Sequence, residues 1–227
     1  MWVILVVCAV AFFIAWFILA GITVVQGPQM VVTTRWPGNA ISRVLKSGIH
    51  WMHPLESAHY HTWTYLDQQF KTRYISSYYL PTVGAQLDLA PVECVTADDH
   101  TISLDMFLMY FVADGPKAVS RTTDPLILLC QQTVESAREH VAKYTLAQLS
   151  RNNADICKAI VEDVARDWTP TYGLALERCQ IQAISSDDET IARRRKMRDG
   201  WSPKDCAAYE NAQAYGTNSK ARVIVGK

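Results

Sequence analysis

Four histidines crowd one stretch of the chain: His50, His53, His59 and His61. Imidazoles at this density can hold a metal ion, since zinc takes about four N, S or O donors in a tetrahedral shell. His59 and His61, two residues apart, would share one face of a strand. Only Glu56 adds a donor at complementary spacing, so the stretch reads better as a juxtamembrane surface of mixed aromatic and imidazole character. A second cluster, Asp98, Asp99 and His100 with Asp105 nearby, has the residue types of acid/base chemistry. No nucleophile, phosphate loop or oxyanion arrangement accompanies it, and Gly-x-Ser-x-Gly and His-Glu-x-x-His are both missing. Asp in a tight turn caps local backbone donors, which accounts for the cluster without catalysis. No catalytic, cofactor-binding or metal site is expected, and no enzymatic reaction.

The remaining reactive and charged groups point the same way. Six cysteines are scattered without a C-x-x-C pair, so they read as reduced thiols packed as small apolar residues. Cys8 lies inside an apolar segment and is a candidate for lipidation, with core packing as the alternative. Residues 193–198 carry five basic side chains in six positions. They suit contact with anionic lipid or an acidic neighbour, worth about 1 kcal/mol per charge. Alternatively they form a solvated helix face paired with Asp187, Asp188 and Glu189. Over the whole chain 22 basic residues balance 22 acidic ones, which gives no sign of a nucleic-acid partner. With 49% hydrophobic and 19% charged residues, disorder is excluded.

These groups have to be positioned by an anchor and a folded domain. Residues 2–25 carry no charged side chain, and the first in the chain is Arg35. That run exceeds the roughly 20 residues a helix needs to cross a bilayer. A cleaved signal peptide would start with Lys or Arg and carry a shorter apolar core. An uncleaved N-terminal membrane helix is therefore expected over residues 1–25, single-pass or monotopic, with Trp2, Phe12, Trp16 and Phe17 in contact with lipid. Arg35 and Arg43 downstream favour a cytoplasmic domain. Trp36, Trp51, Tyr60 and Trp63 suit either the headgroup layer or a core, and Trp51 and Met52, flanking a turn at Gly48, are expected to touch the membrane.

Residues 30–112 read mainly as strands, with turn chemistry at Trp36-Pro37-Gly38-Asn39 and a second strand over residues 59–65. The clearest hairpin joins residues 92–96 to residues 101–112. There Ile102, Leu104, Met106, Leu108 and Tyr110 alternate on one face, and Phe107, Met109 and Phe111 make the other apolar too, predicting cover on both sides. From Asp124 the period becomes helical: Leu126, Leu129, Thr133, Ala137 and Val141 share a stripe behind Pro125. A short turn at residues 146–149 follows, then a helix over residues 152–168 with Ile156, Ala159, Ile160, Val164 and Trp168 along one side. Gly173 closes a stop, and one more strand runs over residues 174–184. This order predicts an α+β fold with antiparallel strands and packed helices.

In that order the chain resembles the stomatin–prohibitin–flotillin (SPFH, band 7) family, most nearly its stomatin branch. The resemblance rests on Gly48-Ile49-His50-Trp51-Met52-His53-Pro54, on Pro91-Val92-Glu93-Cys94-Val95-Thr96-Ala97-Asp98-Asp99-His100-Thr101 running into Tyr110-Phe111-Val112, and on Tyr172-Gly173-Leu174 with Ile181. It implies an SPFH domain over residues 26–187. Residues 188–227 then read as the interrupted start of a coiled-coil region, broken at Asp199-Gly200-Trp201-Ser202-Pro203, so smaller oligomers through the domain itself are expected. The family implies an oligomeric scaffold at a lipid bilayer, assembled with itself or other SPFH proteins, that organises a microdomain and modulates channels, transporters or proteases. The rival readings are a membrane-tethered hydrolase using the Asp98–His100 turn and an adaptor regulating a membrane protease.

Overall fold

The computed structural model describes residues 2–205 and 207; of these, the side chains of Val3 and residues 15–20 are outside the description. The expected lipid contacts of Trp16 and Phe17 therefore lie outside the described side chains, as do Cys206 and the coiled-coil-like residues 219–227. The chain runs α1 (Trp2–Ala20), β1 (Ile22–Val25), β2 (Gln29–Arg35), β3 (Ala40–Leu45), β4 (Gly48–Trp51), β5 (Glu56–Ala58), β6 (His61–Leu66), β7 (Thr72–Ser77), β8 (Leu80–Pro81), β9 (Ala85–Asp88), β10 (Val92–Val95) and β11 (Thr101–Val112). Helices α2 (Gly115–Ser120), α3 (Pro125–Val141), α4 (Leu146–Leu149), α5 (Asn153–Asp167) and α6 (Thr169–Tyr172) precede β12 (Leu174–Ser185) and α7 (Asp188–Arg198).

The apolar N-terminal run is two elements rather than one. Its helix stops at Ala20, and Ile22–Val25, expected to belong to the anchor, is a strand paired antiparallel with β4. A 19-residue helix is about 28 Å long, close to the roughly 30 Å hydrocarbon core. Against the expectation of a spanning segment, among the described residues no helix is long and apolar enough to cross a membrane. What is present is an apolar helix whose described side chains face outward, Trp2 at 80% and Phe12 at 70% exposure.

The core lies between a four-stranded antiparallel sheet and two helices. β11 pairs with β10 and β9 on one side and with β12 on the other. Ile102, Leu104, Met106, Leu108 and Tyr110 are buried on one face, as their alternation predicts. The opposite face is covered less than expected, with Phe107, Met109 and Phe111 only half-buried. Along β12 the buried positions change phase, from Leu174 and Leu176 to Cys179 and Ile181. The cause is a bulge in the β11–β12 register at Met109/Tyr110, which adds one residue on the β12 side; a second, at Asp105/Met106, follows Ile181.

α3 buries Leu126, Leu129, Thr133, Ala137 and Val141, the whole predicted stripe, and α5 buries Ile156, Ile160 and Val164 beside it. Ala159 and Trp168 are only partly buried. Asp124 sets the start of α3: its Oδ1 accepts from the Ile127 amide at 3.3 Å. Its Oδ2 accepts from the Thr64 amide at 2.8 Å and from the Thr64 hydroxyl, tying the helix to β6. Asp124→Ala removes a cap and leaves partly buried donors on β6 without their partner, so it should destabilise by about 1–2 kcal/mol. A lower urea midpoint at unchanged slope is the expected result.

A smaller sheet, β3-β2-β5 with β8 on β2, carries a second core of Val25, Val31 and Leu45. α7 ends at Asp199–Gly200, where the predicted interruption lies.

Candidate membrane-facing ribbon

The β1–β4 ribbon begins one residue after α1 and has two unlike faces. Ile22 pairs with Trp51 and Val24 with Ile49. Directly paired residues, and residues two apart, share a face. Ile22, Val24, Ile49 and Trp51 therefore form one contiguous apolar face, with Ile49 76% exposed and the other three 42–46%. The reverse face carries Thr23, Val25 and His50, and Val25 seats it on the small core.

Gly21 makes the sharp exit from α1. A Cβ there would collide with the Trp51 indole and the Met52 carbonyl, and the Met52 amide donates to the Gly21 carbonyl at 2.6 Å. Arg43 fixes the other strand by donating to the Trp51 carbonyl and to Glu56 Oε2 at 2.9 Å. The Ser42 hydroxyl donates to Glu56 Oε1 at 2.5 Å, and this bond leads the effects that hold the Glu56 carboxyl below its usual range. The ribbon is thus braced at the helix exit and on the β3-β2-β5 sheet.

The structure divides the residues expected at the membrane. Trp51 lies on the exposed ribbon face, and Trp2, Phe12 and Cys8 are exposed along α1. Met52 does not join them: its sulfur accepts from the Thr23 hydroxyl at 3.0 Å and its side chain packs on Val25, Val31 and Leu45. Trp36 and Tyr60 are exposed, whereas Trp63 is core. Ile22 and Val24 were hidden in the sequence because they prolong an apolar run. Only strand pairing with Ile49 and Trp51 reveals them as a surface.

The other candidate chemistry disperses. His50 Nε2 meets the Lys46 carbonyl at 2.6 Å, His53 Nδ1 accepts from the Leu55 amide at 3.2 Å, and His59 donates its amide to Val32. His59 and His61 do not share a strand face, since β6 starts at His61. Among the described residues no three His, Cys, Asp or Glu side chains converge as a metal set. Asp98 accepts from the Thr96 hydroxyl at 2.5 Å, which leads the effects lowering its carboxyl, and from the Leu146 amide at 3.2 Å. It joins the hairpin turn to α4. Sequence reading missed Ser136, His140 and Asp163, where Asp163 Oδ2 accepts from the serine at 2.9 Å and meets His140 Nε2 at 2.8 Å. The serine donates to the carboxylate and not to the imidazole, so this trio clamps α3 to α5 and does not activate a nucleophile.

Three arginines of the basic run find acidic neighbours on the sheet. Arg194 donates to Ser103 Oγ at 2.6 Å and Asp105 Oδ2 at 2.8 Å, and Arg195 and Arg198 pair with Glu93. These charges dock α7 on β10 and β11, and Asp187 caps the helix by accepting from the Thr190 amide.

His61 is 6% exposed with its ring tilted against that of Trp63, centroids 4.5 Å apart. Burial pushes its imidazole down to about 4, with the His59 charge adding to the shift. The unfolded chain gains this proton near pH 6.5 and the folded chain only near 4, so stability is lost as pH falls through that window. The loss amounts to roughly 3 kcal/mol. In His61→Phe the difference in urea midpoint between pH 7 and pH 4 should shrink accordingly; an unchanged pH dependence would sink this assignment.

No curated protein matches the chain. The profile of the SPFH domain / Band 7 family matches residues 22–199, from the first strand of the ribbon to the end of α7. Proteins of this family are generally associated with membranes and with microdomain scaffolds. Over most of its length, and with the α+β architecture described above, the chain belongs to the SPFH domain / Band 7 family.

Proposed function

We propose that this chain is a membrane-anchored, oligomeric scaffold of the stomatin branch that organises a membrane microdomain and modulates partner channels, transporters or proteases. The observation that carries the reading is the exposed Ile22, Val24, Ile49 and Trp51 face, directly continuous in sequence with an apolar helix. An exposed apolar patch rimmed by polar residues marks a membrane or protein contact. α1 inserts as the anchor, the ribbon rests against the headgroup layer, and the rest of the domain stands on the cytoplasmic side, where it assembles with copies of itself or other SPFH proteins. The mechanism is positional, without a reaction or cofactor: Asp98 and Asp163 spend their oxygens on Thr96, Leu146, Ser136 and His140.

Flotation with lipid vesicles tests the anchor. The intact chain should float, and the chain lacking residues 2–20 should keep only the weaker binding of the ribbon. The deletion must stop at Ala20, because Ile22–Val25 is part of the fold. Flotation as tight without α1 as with it would overturn the anchor. In mild detergent, light scattering should give a discrete oligomer; a clean monomer would dismiss self-assembly.

A further inference from the structure

The ribbon and the small sheet that braces it carry a charge pattern that the scaffold reading does not use. Residues 1–66 hold three basic side chains, Arg35, Arg43 and Lys46, and one acidic side chain, Glu56. The rest of the chain holds 19 basic and 21 acidic ones, so the two ends of the balance are unlike. Glu56 turns no charge outward: its side chain is 8% exposed, and its oxygens accept from Ser42, Arg43 and the His53 amide.

The three cations bracket β4. Lys46 lies in the turn two residues before Gly48, where β4 starts, and Arg43 donates to the carbonyl of Trp51, where it ends. Arg35 is paired across the small sheet with Glu56, the residue that holds Arg43. Glu56 neutralises Arg43, but Arg35 and Lys46 are exposed and form no ion pair among the described residues. Next to Arg35, Trp36 is 68% exposed, and its amide donates to the carbonyl of the exposed Leu55 at 2.9 Å. An indole beside a cation suits the headgroup layer. The strand that supplies Ile49 and Trp51 to the apolar face is therefore flanked by unpaired positive charge, with no free carboxylate near it. That pattern complements acyl chains lying under phosphate.

We propose that the ribbon is selective for anionic phospholipid, with Lys46 and Arg35 meeting headgroup phosphates while the Ile22, Val24, Ile49 and Trp51 face enters the acyl boundary. The inference rests on the reading that the ribbon meets a bilayer, and it adds the charge that the bilayer must carry. Each cation held near an anionic surface multiplies affinity by about five, so the pair gives about thirtyfold. The formal net charge of the chain is +0, so a general attraction to anionic vesicles does not supply this preference. Exposed charges are screened by salt, and the selectivity should fade as ionic strength rises.

The test uses the chain lacking residues 2–20, since no residue of α1 belongs to either buried core and the family profile starts at residue 22. Its binding is compared on vesicles of phosphatidylcholine alone and on vesicles in which phosphatidylserine makes up about a third of the lipid. The serine-containing vesicles should bind about thirtyfold tighter at low salt. Arg35→Gln with Lys46→Gln should remove most of that ratio and leave the phosphatidylcholine affinity and the urea midpoint unchanged. Soluble glycerophosphoserine at matched ionic strength should not compete. Equal binding to both vesicles would overturn the selectivity and leave the ribbon–bilayer reading standing, whereas binding to neither would overturn that reading and the inference with it. An unchanged ratio in the double variant would remove these two cations from the site, and full competition by glycerophosphoserine would make it a site for a soluble phosphate ester instead.

Discussion

Gly173→Ala should destabilise the domain by about 3 kcal/mol or more, although it adds one methyl group. Gly173 has φ of 72° and ends α6 in the left-handed region, where a non-glycine residue pays about 1–2 kcal/mol. Its carbonyl accepts from the Ala113 amide at 2.8 Å and the Asp114 amide at 3.0 Å, so the end of β11 is held against this turn. A Cβ would collide with the Asp114 carbonyl oxygen and press on the Lys117 and Asp114 side chains. Those atoms are backbone or near it, and Asp114 also caps α2 through the Lys117 amide, so relief means losing hydrogen bonds worth about 1 kcal/mol each. Gly27 is the control. It has φ of 65° but open space around its missing Cβ, so alanine there should cost only the conformational part. Urea unfolding of both variants separates the two contributions. Equal losses would mean that the collision relaxes freely.

Gly173 also marks how far the sequence could be read. Its place after Thr169-Pro170-Thr171-Tyr172 announces a stop between a helix and a strand, and that stop is where the chain turns. The collision with Asp114 is tertiary and leaves no local trace. The same division holds elsewhere. The stripes of α3 and the alternation of β11 are periodic, so the faces they bury can be read from spacing. The phase change along β12 is visible as a shift of apolar positions, and pairing explains it as a bulge. Partnerships between distant elements could not be read. Arg194 had Asp187, Asp188 and Glu189 close in sequence, yet pairs with Asp105 because α7 folds back on β11. Hydropathy fails for a different reason at the N-terminus. An apolar helix and an apolar strand look alike when no polar residue separates them, so Ile22 and Val24 were absorbed into the anchor.

That hidden strand carries the second large effect. In the chain lacking residues 2–20, replacing Val24 and Ile49 together by Asp should weaken vesicle binding by about a hundredfold to a thousandfold. The two side chains form one of the two cross-strand pairs of the exposed face, and neither belongs to the buried cores. Burying an aliphatic side chain of this size is worth about 1.5–3 kcal/mol, and each factor of ten in affinity corresponds to about 1.4 kcal/mol. Losing both contacts, even half-inserted ones, and adding two charges that repel anionic headgroups brings the total to about 3–4 kcal/mol. Stability should change little, because the reverse face of the ribbon makes the packing contacts through Val25. Thr23→Asp, one position away on that reverse face, should instead disturb the Met52 contact and lower the urea midpoint. If the paired Asp variant binds vesicles as well as its parent, the ribbon does not meet lipid. The exposed face would then belong to a contact between protein subunits, and the same variant should lower the oligomer mass in detergent.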